Sequence, residues 1–256
     1  MSYSRSFIIG EFVNQGKNIL YGKPRTVTYK NPRHQANLTR FLTSHQNTIL
    51  DWFGRGLSET DIHDVFALPN NTEITYVGVA KSKKITITLK AINPLFHISE
   101  YNQVLLLDQE ESAIRIDTLM LTETKTGIGT RIFAHQAKKA QSIGIGSILL
   151  FAGRNDKHNG YWTWAVFGFD GELDRPSSQS QQLLKKYQRL YPTLMASDFP
   201  TTLQELLLLP NGKEIWKEYG QGISVQFNCG RNSQAQKTLH AYLKCQNPSI
   251  LLADGW

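Results

Sequence analysis

The sequence predicts an α/β protein of the α+β kind, with a central sheet flanked by helices and a helical C-terminal extension. Three observations carry this reading. Strand candidates Glu73–Lys81, Lys84–Ala91 and Ala113–Leu121 follow one another in series. From Ala113 to Gly153 the chain reads strand, glycine loop, helix, strand. Beyond the polar, proline-bearing run Asp174–Ser180, apolar residues recur mostly at helical spacing.

Taken in order, Ser6–Val13 reads as a first strand and Pro24–Tyr29 as a second extended piece. Leu38, Phe41, Leu42, Ile49 and Trp52 stand near helical spacing and predict a helix over Asn37–Phe53. Ser58 is a good N-cap for a short helix to about Phe66, with Glu59 and Asp61 in its first turn. Pro69-Asn70-Asn71 is a turn, and Lys81–Lys83 joins the next two strands as a hairpin. Asn93–Glu110 gives mixed signals, since Pro94 argues against a strand and Leu105-Leu106-Leu107 has no clear period. Ala113–Leu121 alternates cleanly. The helix after Thr130 carries Ile132, Ala140 and Ile143 as its apolar stripe, with His135, Gln136, Lys138 and Lys139 as interspersed polar positions. Gly144-Ile145-Gly146 stops it. Ser147–Gly153 is a short continuous apolar strand, typical of a buried parallel neighbour reached by a right-handed crossover. Helices are expected at Gln181–Leu190, Thr202–Leu208, Gly212–Tyr219 and Ser233–Cys245. The division expected is a core over 1–173 and a helical extension over 174–256 packed on it.

Composition narrows the function classes. The 256 residues are 40% hydrophobic, enough for a sizeable core. Lys and Arg number 28 against 21 Asp and Glu, a net +7 that suits a phosphate-bearing ligand. No dense Lys/Arg stripe with interleaved aromatics is visible, so nucleic acid is not an expected partner. Two cysteines, Cys229 and Cys245, fit neither a disulfide scaffold nor a zinc pattern, and no metal is expected. No apolar run reaches the ~18–20 residues of a membrane span, and Met1–Ser6 lacks the apolar core of a signal peptide. The expectation is a soluble, cytoplasmic protein.

The segment Ala113–Phe169 carries the chemistry. A strand feeds a polar turn, Thr122–Thr126, then Gly127-Ile128-Gly129-Thr130-Arg131, where the helix opens. Such a helix start aims several unpaired N–H groups and the positive end of a dipole at one point. An anion sits there readily, and a pyrophosphate is the usual biological candidate.

Thr124-Lys125-Thr126-Gly127-Ile128-Gly129-Thr130 resembles the acetyl-coenzyme A loop of the GCN5-related N-acetyltransferase (GNAT) superfamily. Gly168-Phe169 looks like the Gly-Phe that commonly closes that core, so the resemblance covers roughly Ile74–Gly171. It implies a mixed, mainly antiparallel sheet and an acyltransferase using acetyl-CoA or a longer acyl-CoA. It places Leu119, Leu121, Thr124, Gly127, Ile128, Gly129, Thr130 and Arg131 against that co-substrate, and Asn155 joins them from its place in the chain. Leu119 stands near a strand bulge whose backbone N–H serves the thioester carbonyl. There are two departures. Thr124 occupies the first loop position, usually Gln or Arg. Trp164, with no proton titrating near neutral pH, stands where a tyrosine often acts as general acid; Tyr161, one helical turn earlier, is the substitute.

Acyl transfer to an amine needs a base, an oxyanion site and a proton for the departing thiolate. Asp117, two residues before Leu119 and on its face by strict alternation, is the leading base; its rival reading is a structural partner of Arg115 or of a helix end. Glu123 is a weaker candidate, and His135 reads as a satisfied residue of its helix. Asn155 and His158 lie in a polar loop at the carboxyl end of a strand, where ligands of open α/β sheets gather. The run Tyr161–Gly171 is rich in aromatics, mostly for packing. Some of its rings, with Leu206–Leu209 and Trp216 as a second wall, could line a tunnel for an acyl chain longer than acetyl, on coenzyme A or an acyl carrier protein. The acceptor is an amine of a small molecule, a peptide with Lys or ornithine, or a protein lysine. The alternative is a non-catalytic module of this fold that binds coenzyme A or a protein partner, favoured by Trp164. A different phosphate binder, such as a nucleotide-using enzyme, is a third class, and the absence of Gly-x-x-x-x-Gly-Lys-Ser/Thr argues against a P-loop.

Overall fold

The structure, a computed structural model, describes residues 27–30, 32–81, 83–122, 127–155, 158–173, 178–192 and 199–246. The strand expected at Ser6–Val13 lies outside them, as does the start of the Pro24–Tyr29 piece. The chain divides into two units, Met1–Gly146 with Leu243–Trp256, and Ser147–Tyr242.

In the first unit, β1 (Val27–Tyr29) leads to helices α1 (Pro32–Ser44), α2 (Gln46–Phe53) and α3 (Glu59–Val65). Strands β2 (Thr72–Lys81), β3 (Lys84–Asn93), β4 (Ile98–Asp108) and β5 (Ala113–Leu121) follow, then helix α4 (Ile128–Ile143). The strands stand in the order β1-β2-β3-β4-β5. β1 runs parallel to β2, and β2–β3, β3–β4 and β4–β5 are antiparallel, so the sheet is mixed and mainly antiparallel. Its register explains the burial pattern. Tyr76 stands opposite Leu89 and Leu89 opposite Gln103, and this row is buried, as are Ile87 and Leu105 one row on. Val77 and Val79, on the alternate positions, are exposed. Gly78 is small because Phe41 of α1 lies on it: a Cβ there would meet the ring at 2.9 Å.

Three local outcomes differ from or sharpen the sequence reading. The helix expected over Asn37–Phe53 begins earlier and breaks at His45, whose φ of −113° and ψ of 11° are not helical. Thr43 and Ser44 bond back to the carbonyls of Thr39 and Arg40, a pattern that bends helices. The ambiguous stretch Asn93–Glu110 is a 3-10 turn, Pro94–Phe96, capped by the Asn93 side chain, followed by the eleven-residue β4. Leu105 and Leu107 point into the core while Leu106 is half-buried on the other face, which hides the strand period. At α3 the Ser58 hydroxyl accepts from Asp61 N, and the Asp61 carboxylate accepts from Ser58 N, completing a capping box.

The second unit contains β6 (Ser147–Ala152), the hairpin β7 (Arg154–Asn155) and β8 (His158–Asn159), and helix α5 (Gly160–Val166). It continues with α6 (Ser178–Leu190), α7 (Leu203–Leu208), α8 (Gly212–Tyr219), β9 (Ile223–Asn228) and α9 (Gln234–Gln246), which extends past Tyr242. The four expected C-terminal helices are present. The strand β9 between them is not among the expected elements of this mostly helical stretch: it pairs antiparallel with β6 from Ser147↔Asn228 to Ala152↔Ile223. It turns only Val225 and Phe227 inward, too few for a strong periodic signal. Gly168 and Phe169 serve this unit's core. Phe169 is fully buried with its ring 5.4 Å from that of Phe227. Gly168 has a φ of +98°, and a Cβ on it would lie 2.7 Å from the Ala235 carbonyl oxygen.

Gly168→Ala should therefore destabilise the protein by about 2 kcal/mol or more, read as a lowered urea midpoint. A second expectation concerns acid. Burial alone would raise the Asp61 carboxyl, but hydrogen bonds from Ser58 and the nearby Arg55 charge outweigh it and hold the group below its ordinary value. A depressed folded value contributes stability above the unfolded pKa of about 3.9 and loses it as pH falls through the folded one. The Tm gap between the native chain and Asp61→Asn should persist at pH 6 and narrow as the pH falls below about 3.9.

Candidate functional site

The turn Glu123–Thr126, with Thr124 and Glu123, lies outside the described residues. The helix start itself is described. Gly127 caps α4 in the left-handed conformation, with φ 76° and ψ 0°, and among the described residues no side chain caps the helix. That conformation is cheap only for glycine. The amides of Ile128, Gly129 and Thr130 belong to the first turn, which has no intrahelical acceptor for them. Among the described residues no other group accepts from them. Gly127–Arg131 are half-buried. Sixteen residues of helix stand behind them with their dipole. A Cβ at Gly129 would lie 3.4 Å from Leu121 Cδ1, so the helix start packs closely on the end of β5.

β5 carries a feature that alternation alone did not show. Gln103 of β4 pairs with Ile116, and Asn102 pairs with Thr118, leaving Asp117 as an extra residue. This is a β-bulge, and it flips the phase of the strand. Ile116 and Leu119 now share the face of Gln103 and Tyr101. Asp117 instead stands with Arg115, on the other face from Leu119. The expectation that Asp117 and Leu119 share a face is corrected by this one residue. Asp117 accepts from Arg115 Nε at 2.6 Å and Nη2 at 3.4 Å, the pair being about half exposed. The bond to Asp117 lifts the Arg115 guanidinium above its usual value.

Tyr161 lies in α5, which is helical as its proposed substitution for Trp164 requires. Its hydroxyl donates to the Lys217 carbonyl at 2.7 Å, and its own carbonyl accepts from Trp216 Nε1 at 3.0 Å. The Arg154 guanidinium lies 4.8 Å over the Tyr161 ring and donates to the carbonyls of Glu218 and Gly220. Together Arg154 and Tyr161 close the C-terminal end of α8, where carbonyls lack helical partners. Trp164, half-buried, packs edge-on against the buried rings of Phe167 and Phe169. Trp216 and Leu206 are fully buried within the second unit, whereas Leu208 is exposed. Asn155 and His158 are backbone partners in the β7–β8 ladder, at the carboxyl end of β6.

Two groups of polar residues escaped the sequence reading. Gln136 is fully buried, although it read as an interspersed polar position; it lies four residues from both Ile132 and Ala140, on their stripe. Its amide nitrogen donates to Gln103 Oε1 and to the Val65 carbonyl. An amide at a stripe position was the available signal. The second group is Tyr29, Glu59 and His63. The Tyr29 hydroxyl donates to Glu59 at 2.5 Å and stands 3.0 Å from His63 Nε2, fastening β1 to α3. Burial, then Glu59, pushes the Tyr29 hydroxyl far above the ordinary tyrosine range. His135 is buried and engaged within the fold. Among the described residues no cluster of three or more His, Cys, Asp and Glu could hold a metal ion, and no helix is long and apolar enough to cross a membrane. Cys229 and Cys245 are unpaired, and burial pushes the Cys229 thiol up to about 12. Compared with models of known protein families and with curated proteins, the chain matches none.

Tyr161→Phe should cost about 1 kcal/mol in urea unfolding, because it strands the Lys217 carbonyl, whereas Asp117→Asn, at a half-exposed pair, should cost less than about 1 kcal/mol.

Proposed function

We propose that this chain is a GNAT-like N-acyltransferase that moves an acyl group from an acyl thioester to an amine. One observation carries the reading: a glycine-capped helix start, with first-turn amides uncommitted among the described residues, packs against the end of a bulged strand. Gly127–Arg131 would hold the pyrophosphate arm of acyl-CoA, with Leu121, Thr124 and Asn155 assisting. A strand amide near Leu119 would receive the oxyanion. The amine nitrogen attacks the thioester carbonyl, the C–N bond forms, and the C–S bond breaks. The amine proton leaves to Asp117, directly or through water. The thiolate takes a proton, with Tyr161 the candidate donor once its bond to Lys217 opens. The acyl group could exceed acetyl, on coenzyme A or an acyl carrier protein. The acceptor is a small molecule, a peptide or a protein lysine or ornithine. Two unpaired thiols suit a reducing cytoplasm.

A specific observation favours the non-catalytic module instead. Both candidate proton carriers are engaged within the protein, Asp117 by Arg115 and Tyr161 by Lys217. Calorimetry with coenzyme A, then thiol release from acetyl-, octanoyl- and palmitoyl-CoA over an amine panel, separates the readings. Binding with release supports the enzyme. Binding without release supports the module, and no binding overturns coenzyme A as the ligand in either reading. Gly129→Glu, which brings a carboxylate to the anion site, should weaken coenzyme A binding at least about tenfold.

A further inference from the structure

We infer that the buried amide pair Gln103–Gln136 is a positioning device, holding the bulged strand β5 and the glycine-capped start of α4 in fixed axial register; its catalytic meaning rests on the thioester reading above.

The geometry converges on one point. The bulge falls where the partner strand passes from Gln103 to Asn102. Gln103 Nε2 donates to the Phe66 carbonyl at 3.2 Å, and Gln103 Oε1 accepts from Gln136 Nε2 at 2.5 Å. Gln136 Nε2 also reaches the Val65 carbonyl at 3.0 Å. Two side chains, neither exposed to solvent, thus join the strand opposite the bulge, the end of α3, and α4. Gln136 lies eight residues beyond Ile128, the first residue of the helix whose amides are at issue.

The pair is an unusual choice if stability alone matters. Among the described residues Gln136 Oε1 is buried with no hydrogen-bond partner, and an orphaned acceptor is costly. Apolar side chains of similar size would fill the layer without it, but apolar packing is non-directional. A hydrogen bond has a direction and a length. Sliding α4 by one residue, about 1.5 Å along its axis, would break this one. Acyl transfer needs that tolerance, because misplacing reacting groups by about 1 Å costs about a hundredfold in rate. The separation between the Leu119 amide and the Ile128–Thr130 amides is set by how β5 and α4 lie, and the amide pair holds that arrangement.

The test is amide hydrogen exchange on the full chain carrying Gln136→Met. Exchange of the Ile116–Leu119 amides should rise at least tenfold more than that of the β2–β3 core amides Ile85–Leu89. A uniform rise across the unit, or no rise at the bulge, overturns the inference. Gln136→Asn keeps the amide but shortens its reach, and serves the same test should the methionine variant fail to fold. Exchange needs no ligand, so this result stands whether or not coenzyme A binds. Where the native chain releases thiol, kcat should also fall at least tenfold while the Kd for coenzyme A stays within twofold. An unchanged kcat overturns the positioning role, whereas absent binding by the native chain overturns only the thioester reading.

Discussion

Asp117 is one residue more than its partner strand can accommodate, and the consequences run through the first unit. With Gln103 opposite Ile116 and Asn102 opposite Thr118, β5 changes phase in mid-strand. Upstream, Ile114 and Ile116 are buried. Downstream, Leu119 inherits the inward face, and Leu121 comes up against the first turn of α4, close to Gly129. A strand that stayed in phase would have carried Asp117 and Leu119 on one face. The bulge separates a carboxylate tied to Arg115 from the main chain of the following residues, whose amides the proposed chemistry uses.

The second unit solves a different problem. Helix α8 ends in carbonyls that need donors, and Arg154 and Tyr161 supply them. Trp216, from the same helix, returns a hydrogen bond to the Tyr161 carbonyl. β7, α5 and α8 are thus knitted through polar atoms placed beside buried aromatic rings. The dense aromatic run therefore reads first as architecture: Phe167 and Phe169 are buried, and Trp164 packs edge-on against both. The proton on Tyr161 has a structural partner before it has a chemical task, and any catalytic use must compete with that bond.

Legibility followed range along the chain. The capping box of Ser58 and Asp61 spans three residues, and it formed as its residue types dictate. The glycine at the start of α4 and the glycine stop at Gly144 adopt left-handed backbones that other residues rarely take. Where the decisive partner lay far away, reading failed. β9 has only two inward residues and depends on β6 for its hydrogen bonds. Gln136 read only as an interspersed polar position, and its partner Gln103 lies thirty-three positions earlier. The break at His45 sits where side chains return hydrogen bonds to the preceding turn, which periodicity does not record.

Sequence alone determined the alternating strands, the glycine-opened helix and the short-range caps, because propensity, period and backbone permissiveness act within a few residues. Only tertiary structure decided that Asp117 bulges, that Gln103 meets Gln136, and that Tyr161 bonds to Lys217. Each of those depends on the register in which distant segments come together. Register is chosen by the packing of whole faces, so no single segment contains it.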